Sequence, residues 1–400
     1  FWVARMVMAG LEFRGDLPFN TVYLHGTVRD AQHRKMSKSL GNGIDPLVVV
    51  ERYGADALRY TVVAGMAVGT DLILDHKDME TAFAPARNFA NKLWNLGRFV
   101  LGSLDGPPRP LAGDYPDVVR REELGLADRW IIARCNISVA DATAAYEQFR
   151  LNEAVAIIYH FLWSDLADWY IEQIKPRLYG DIAGGDVARA VVASTFDVAL
   201  RLLHPVMPFV TETLWKRLPG PQEDASIMVA AWPGTDDRAG DEAAVRDFSL
   251  VQECVGAVRS IRAEYNVPPG STVALVITRA SSPARAALES ERGTIERLAK
   301  VNALQFGQAD GVGAGAVLTD GTALFVAFGS AIDLEQECRR LSAEHDRLSD
   351  LITQQEDRLA NTGFTGRAPA LVVERERKKL TDWSGRRDAL RDKLQHLGCG

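Results

Sequence analysis

LNEAVAIIYHFLWSDLADWYIEQIKPRL, residues 151–178, is apolar on more than one face when read at the helical period. A surface helix carries one apolar stripe, whereas a helix apolar most of the way round is enclosed by others. The stretch therefore predicts the central helix of a bundle, ending near Lys175–Pro176. Its neighbours agree. Upstream, LADRWIIARCNISVADATAAYEQF (126–149) sets Leu126, Trp130, Ile131, Cys135, Ile137 and Val139 on a broad apolar face. Downstream, GDVARAVVASTFDVALRLLHPVMPFVTETLWKRL (185–218) supplies two more helices, broken near Pro205 and Pro208. Together they predict an antiparallel helix bundle, assigned to residues 118–235.

Outward from the bundle the pattern changes on both sides. Residues 46–104 read as helices with short interruptions, opening at Pro46, where proline suits a first helical turn. GSLDGPPRPLAGDYPD (102–117) is rich in Gly, Pro and Asp and reads as a linker. Beyond the bundle, SIMVAAWPGTDD (226–237) leads out through a Pro-Gly turn, and 241–266 are helical again. From 271 the period shortens. STVALVIT, ALQFG, AGAVL and TALFVAF are β-rich runs around the helical PARAALESERGTIERLAKV. Residues 236–332 thus predict a small α+β module.

The final stretch, 333–400, has heptad spacing. Leu334, Cys338, Leu341, His345, Leu348, Ile352, Gln355 and Leu359 alternate steps of four and three. After NTGFTGRAPA the same grammar resumes through Val373, Glu376, Leu380, Trp383, Arg387, Leu390, Leu394 and Leu397. Two such runs joined by a Gly/Pro turn predict an antiparallel coiled-coil hairpin. His345, Gln355, Glu376 and Arg387 interrupt its seam. Residues 333–397 hold 13 basic and 13 acidic side chains, but 358–379 hold six basic against two acidic. Such a tip is either a solvated helix end or a grip for a phosphate backbone.

The 400 residues suggest several domains, and 47% hydrophobic with 25% charged residues is ordinary globular composition. A net charge of −7 disfavours wholesale nucleic-acid binding and confines it to local basic surfaces. No apolar run reaches the ~18–20 residues of a membrane helix, so no membrane association is expected. Cys135, Cys254, Cys338 and Cys399 are scattered without C-x-x-C pairing. That argues against a disulfide framework and a zinc knuckle, and it suits a reducing, cytoplasmic setting. No metal site is expected.

Residues 1–45 carry the chemistry. Residues 1–13 look helical from the first residue, as if a domain were entered midway, and the chain reads as a fragment. TVYLHGTVRD (21–30) predicts a buried strand running into DAQHRKMSKSLGNGIDP (30–46). This second stretch sets Arg34, Lys35 and Lys38 beside Ser37 and Ser39, then loosens at Gly41 and Gly43. Ammonium and hydroxyl groups on a pliable loop can follow a moving phosphate and meet the charge that builds as pyrophosphate leaves. A generic lysine loop is more often only a solvated one.

KMSKS, after a strand and before helices, resembles a signature motif of the class I aminoacyl-tRNA synthetases. FWVARM, YLHGTVRDAQHRKMSKSLGNGIDP and YGADALRY look like the valyl-tRNA synthetase family within that class. LADRWIIAR, DLADWYIEQIKPRL and LLHPVMPFVTETLW resemble the anticodon-binding bundle of that family. IRAEYNVPPG is similar to the segment that follows, and RLANTGFTGRAPALVVERERKKL to its C-terminal arm. The likeness covers almost the whole chain and is weakest at 270–330. Isoleucyl- and leucyl-tRNA synthetases share the loop and the bundle. The arm, and the lack of paired cysteines for a zinc module, favour the valyl family.

The resemblance implies a mainly α chain. It would hold the C-terminal remnant of a Rossmann-like catalytic domain (1–45), a helical stem-contact-like region (46–104), the anticodon-binding bundle, the α+β module and a tRNA-binding arm. It implies ATP with Mg2+ as substrate, valine and tRNA(Val) as partners, and a monomer when full length. Lys38 and Lys35 would act on the ATP phosphates, with Met36, Ser37 and Ser39 also at the nucleotide. Gly26 would allow close backbone approach to it; a plain strand-end turn is the other reading. Trp2 would wall the valine pocket; taken alone it reads as core. Arg150, Asn152, Arg367, Arg375, Arg377, Lys378 and Lys379 are candidate tRNA contacts. Asp168, Trp169 and Tyr170 read as packing. The family also uses a HIGH motif, yet no two of the histidines at 25, 33, 76, 160, 204, 345 and 396 are spaced three apart. The expectation is a C-terminal portion that cannot form valyl-adenylate alone. The other readings are a stand-alone tRNA-binding module and a structural helical protein with a coincidental basic loop.

Overall fold

A computed structural model describes residues 1–104, 123–180, 182–219, 225–236 and 240–399. The linker expected at 102–117 lies mostly outside them. The chain divides into two compact units, Phe1–Val245 and Arg246–Gly400.

The first unit opens with α1 (Trp2–Arg14), which ends at Gly15 in the left-handed conformation and buries none of its residues. The strand expected over 21–30 shrinks to β1 (Val28–Arg29). A strand extends only as far as it finds a partner, and after α2 (Pro46–Tyr53) and α3 (Ala55–Gly65) only β2 (Leu72–Ile73) pairs with it, in parallel. Asp45 caps α2, accepting from the Leu47 amide at 2.9 Å. Val49, Tyr53, Ala57, Leu72 and Leu74 form a core with Phe83 and Ala86 from α4 (Met79–Ser103).

The bundle follows, built from α5 (Leu126–Glu147) and the continuous helical run 151–178. That run comprises α6 (Leu151–His160), a π-helical stretch (Phe161–Ile171) and α7 (Glu172–Leu178). The helix ends at Leu178, two residues past Pro176, which lies inside its last turn. Next come α8 (Gly185–Leu203) and α9 (Pro208–Trp215), with Pro208 in the first turn of α9. Trp130, Ile131, Ile158, Phe161, Leu162, Tyr170 and Phe196 are all fully buried between these helices. Several faces of 151–178 are therefore covered, as its all-round apolarity requires.

The second unit begins within α10 (Glu242–Glu264). A four-stranded sheet follows, built from β3 (Val273–Arg279), β4 (Val301–Phe306), β5 (Gly313–Val317) and β6 (Ala323–Ala327). Its order is β4-β3-β6-β5. Only the β3–β4 pair is parallel, and α11 (Ser282–Ser290) with α12 (Arg292–Ala299) makes the crossover it needs. Edge strand β4 is covered by side chains. Glu296 accepts from the Leu304 amide at 3.2 Å and Arg292 donates to the Leu304 carbonyl. Such cover blocks strand addition.

The arm consists of α13 (Leu334–Ala360), the short α14 (Thr362–Thr365) and α15 (Ala370–Leu397), with α13 packed along α15. Leu341, Leu348, Ile352, Val373, Leu390 and Leu397 fill the seam. Two of the polar interruptions answer each other: Gln355 Nε2 donates to Glu376 Oε2 at 2.9 Å, buried inside the hairpin. A buried polar pair of this kind fixes register.

One expectation is corrected here. Cys338 and Cys399 form a disulfide, with their Cα atoms 5.6 Å apart. Sequence distance hides the pair, because only the antiparallel hairpin brings the two ends of the arm together. Reducing the bond, or Cys338→Ser, is expected to lower the stability of the arm by about 2 kcal/mol, the low end for such crosslinks, since packing already holds the ends. Thermal unfolding with and without a reductant checks this.

Candidate functional site: a braced lysine loop

The loop from 30 to 43 is organised by Asp30, whose side chain is fully buried. Its carboxylate accepts from the amides of Gln32 (3.0 Å) and Arg34 (2.9 Å) and from Arg34 Nε (2.8 Å). Asn42 Nδ2 completes the set at 2.8 Å. The Arg34 guanidinium first, and the Asn42 amide second, hold the Asp30 carboxyl well below the usual carboxylate range. It stays ionised at neutral pH, and its bracing is lost only as acid protonates it. Asn42 is buried as well and works in both directions, since its Oδ1 accepts from the Ser37 amide at 2.9 Å.

Within this frame Ser37 caps a short 3-10 turn, Lys38–Leu40, which ends at Gly41 with φ +60°. The Ser37 and Ser39 hydroxyls lie 3.2 Å apart. Met36 packs against the Val49–Phe83 core and anchors the loop from below. Lys35 and Lys38 are exposed, and neither makes an ion pair among the described residues. The result is a rigid base presenting two ammonium groups and two hydroxyls to solvent. Sequence reading names the cations and misses Asp30 and Asn42. The i, i+4 spacing of Asp30 and Arg34 is the available signal.

Gly26 has a local reason to be glycine. A Cβ there would stand 1.7 Å from the Thr70 carbonyl oxygen, where the backbone passes Thr70–Asp71 beside β2. The close approach is to protein backbone. Trp2 is 73% exposed on α1, so neither a core position nor a closed pocket surrounds it.

The helices after the loop are latched to the bundle. The Asp56 carboxylate of α3 accepts from the Phe209 (3.1 Å) and Val210 (2.7 Å) amides and so caps α9 across the fold. Burial pushes its pKa up. Arg59 donates to the Pro205 and Val206 carbonyls at 2.9 and 3.0 Å. Tyr170 is buried, as a packing residue is, whereas Asp168 is exposed and pairs with Lys92 at 2.7 Å.

The candidate RNA contacts are scattered. Arg150, at the α5–α6 corner, pairs with Glu153, and Asn152 is half-buried in α6. At the tip of the arm, Arg367, Arg375, Arg377 and Lys378 are exposed with no ion pair among the described residues. Lys379 differs: it is half-buried and bonds Glu376 at 3.0 Å. Leu371, 78% exposed, lies among these cations.

Among the described residues no cluster of His, Cys, Asp or Glu could hold a metal ion, and no helix is long and apolar enough to cross a membrane.

Comparison with known families agrees with the geometry. Residues 1–75 match the class I tRNA synthetases (I, L, M and V), and 128–277 match the anticodon-binding domain of tRNA ligases. Loop and bundle together are those of a class I aminoacyl-tRNA synthetase. Residues 333–398 match the valyl tRNA synthetase tRNA binding arm. The valine–tRNA ligases of Geobacillus kaustophilus and Carboxydothermus hydrogenoformans are each 41% identical, over 99% of this chain and 44% of their own length. That of Bacillus subtilis is 37% identical over the same shares. A solved LeuRS–tRNA–LeuAMS complex from Agrobacterium radiobacter K84 aligns with 72% of this chain and 33% of its own, at 20% identity and a TM-score of 0.46. The chain is thus similar to valyl-tRNA synthetases over almost its whole length and spans less than half the length of the curated relatives it matches.

Proposed function

We propose that this chain is the C-terminal portion of a cytoplasmic, monomeric valine–tRNA ligase, which activates valine with ATP and Mg2+ to valyl-adenylate and transfers it to tRNA(Val). The observation that carries the reading is the braced loop. Two ammonium groups, unpaired among the described residues, project from a frame that Asp30 and Asn42 hold in place. As the valine carboxylate attacks the α-phosphorus and pyrophosphate departs, negative charge grows on the leaving oxygens. Lys38 and Lys35 meet that charge, and preorganised cations there stabilise the transition state more than the ground state. Ser37 and Ser39 add hydroxyl donors, and the backbone at Met36 borders the adenosine. Trp2 would supply one wall of a valine pocket whose other walls come from elsewhere in the enzyme. On this reading the isolated chain does not catalyse valine-dependent ATP–pyrophosphate exchange.

The same chain also holds RNA through the bundle, near Arg150 and Asn152, and through the tip of the arm. The four exposed cations at 367, 375, 377 and 378 favour this part of the reading. Binding of valine-accepting tRNA to the chain should therefore fall steeply with salt. Replacing those four residues by serine should reduce the slope of log affinity against log salt by about 3, roughly 0.7–0.9 for each of the four phosphates no longer neutralised. Filter binding over roughly 50 to 300 mM salt measures the slope. An unchanged slope removes the arm from RNA binding.

A further inference from the structure

Helix α5 ends in a Schellman turn. The Phe149 amide donates to the Tyr146 carbonyl at 3.0 Å and the Arg150 amide to the Ala145 carbonyl at 2.8 Å. In this turn the residue after the cap is left-handed, and that position is normally glycine. Here it is Phe149, with φ +58°. A bulky L-residue is penalised in this conformation, whereas glycine is not. A strained residue persists where something else holds it.

What holds Phe149 lies more than a hundred positions earlier in the chain. Its ring stacks on that of Tyr23, with centroids 5.7 Å apart and planes inclined at 28°. Tyr23 belongs to the segment that leads through Gly26 into β1 and the lysine loop. Between Arg14 and Val28 the segment forms no helix or strand; its end is fixed at Thr27, whose amide donates to Asp71 Oδ1 at 2.7 Å and whose carbonyl accepts from the Leu72 amide at 3.1 Å, and Tyr23 meets the corner four residues ahead of that point. The bundle corner therefore touches the chain just ahead of the loop. Arg150, a candidate RNA contact, is the next residue along.

We propose that Phe149 is a positioning residue for the lysine loop: its ring, held at the left-handed corner, sets the path of residues 21–25, which enter the loop through Gly26 and Thr27. This rests on the reading of the loop as an ATP-handling element, but its test does not need ATP, tRNA or activity. Phe149→Gly removes the ring and relieves the backbone. Thermal stability of the bundle is then expected to hold or rise. Amide hydrogen exchange at residues 28–43 should accelerate about fivefold, the factor one aromatic pair contributes. Tyr23→Ala should accelerate exchange equally, and the double variant no further. Phe149→Tyr, which keeps the stack, should restore the original rates. Unchanged exchange in Phe149→Gly overturns the proposal. So does acceleration spread through the bundle with a falling melting temperature, because that is the mark of a merely structural role. Failure of the ATP reading would show instead as an intact enzyme insensitive to loss of Lys38.

Discussion

If the proposed function holds, Lys38→Ala is expected to lower the valine-dependent ATP–pyrophosphate exchange rate of the intact ligase about 10²–10³-fold, the usual loss for one preorganised donor of charge stabilisation. The size of the effect follows from where the ammonium sits. Lys38 starts the 3-10 turn that Ser37 caps, and Asn42 fixes the Ser37 amide. The side chain is thus delivered from a rigid base, with no carboxylate among the described residues competing for it. An exposed lysine on a limp loop would lose most of its advantage to the entropy of ordering it. Lys38→Arg keeps the charge but exchanges a compact ammonium for a planar fork, so it should recover only part of the rate. The loss should appear in kcat, with the KM for valine little changed, because on the proposed reading the charge Lys38 meets develops only in the transition state. A Lys38→Ala enzyme with normal kcat would remove the loop from the chemistry.

The bundle is legible in the sequence because its signal is periodic and local. Apart from Ile137, which is exposed, the named apolar face of 126–149 is buried in the fold, as are Ile158 and Phe161 of 151–178. What stays hidden depends on residues that meet only after folding. Asp30 and Asn42 are twelve positions apart and polar, so no period reveals that both are buried. The same holds for Asp56 capping α9 and for the Cys338–Cys399 bond. The strand expected at 21–30 is too long because β-propensity marks a segment that can pair, not how many partners it finds. In the arm, Gln355 and Glu376 look like two defects and are one interaction. Lys379, a neighbour in sequence of the exposed cations of the tip, is bound to that same glutamate.

Asp128→Ala is expected to destabilise the bundle by about 3–5 kcal/mol, the range for breaking a buried charge pair from one side. Asp128 sits in the first turn of α5 and accepts from the Gly125 amide at 3.0 Å. Were that all, the loss would be that of a helix cap, about 1 kcal/mol. But the side chain is fully buried, and its oxygens also take the Tyr170 hydroxyl at 2.7 Å and Arg177 Nη1 at 2.8 and 2.9 Å. Arg177 is itself nine-tenths buried and directed at the Gly184 carbonyl, 3.0 Å away. Removing the carboxylate leaves that guanidinium beside a cavity and takes a partner from a buried phenol. One residue thus ties the start of α5 to the end of the π-helical stretch, to α7 and to the entrance of α8. Asp128→Asn keeps an acceptor for Tyr170 but turns a donor toward Arg177, so it should cost less, about 1–3 kcal/mol. Urea unfolding followed by tryptophan fluorescence would separate the outcomes, since Trp130 lies in the same core. A loss near 1 kcal/mol for both variants would mean that Arg177 turns to water when its partner is removed. The bundle would then owe its stability to apolar packing alone.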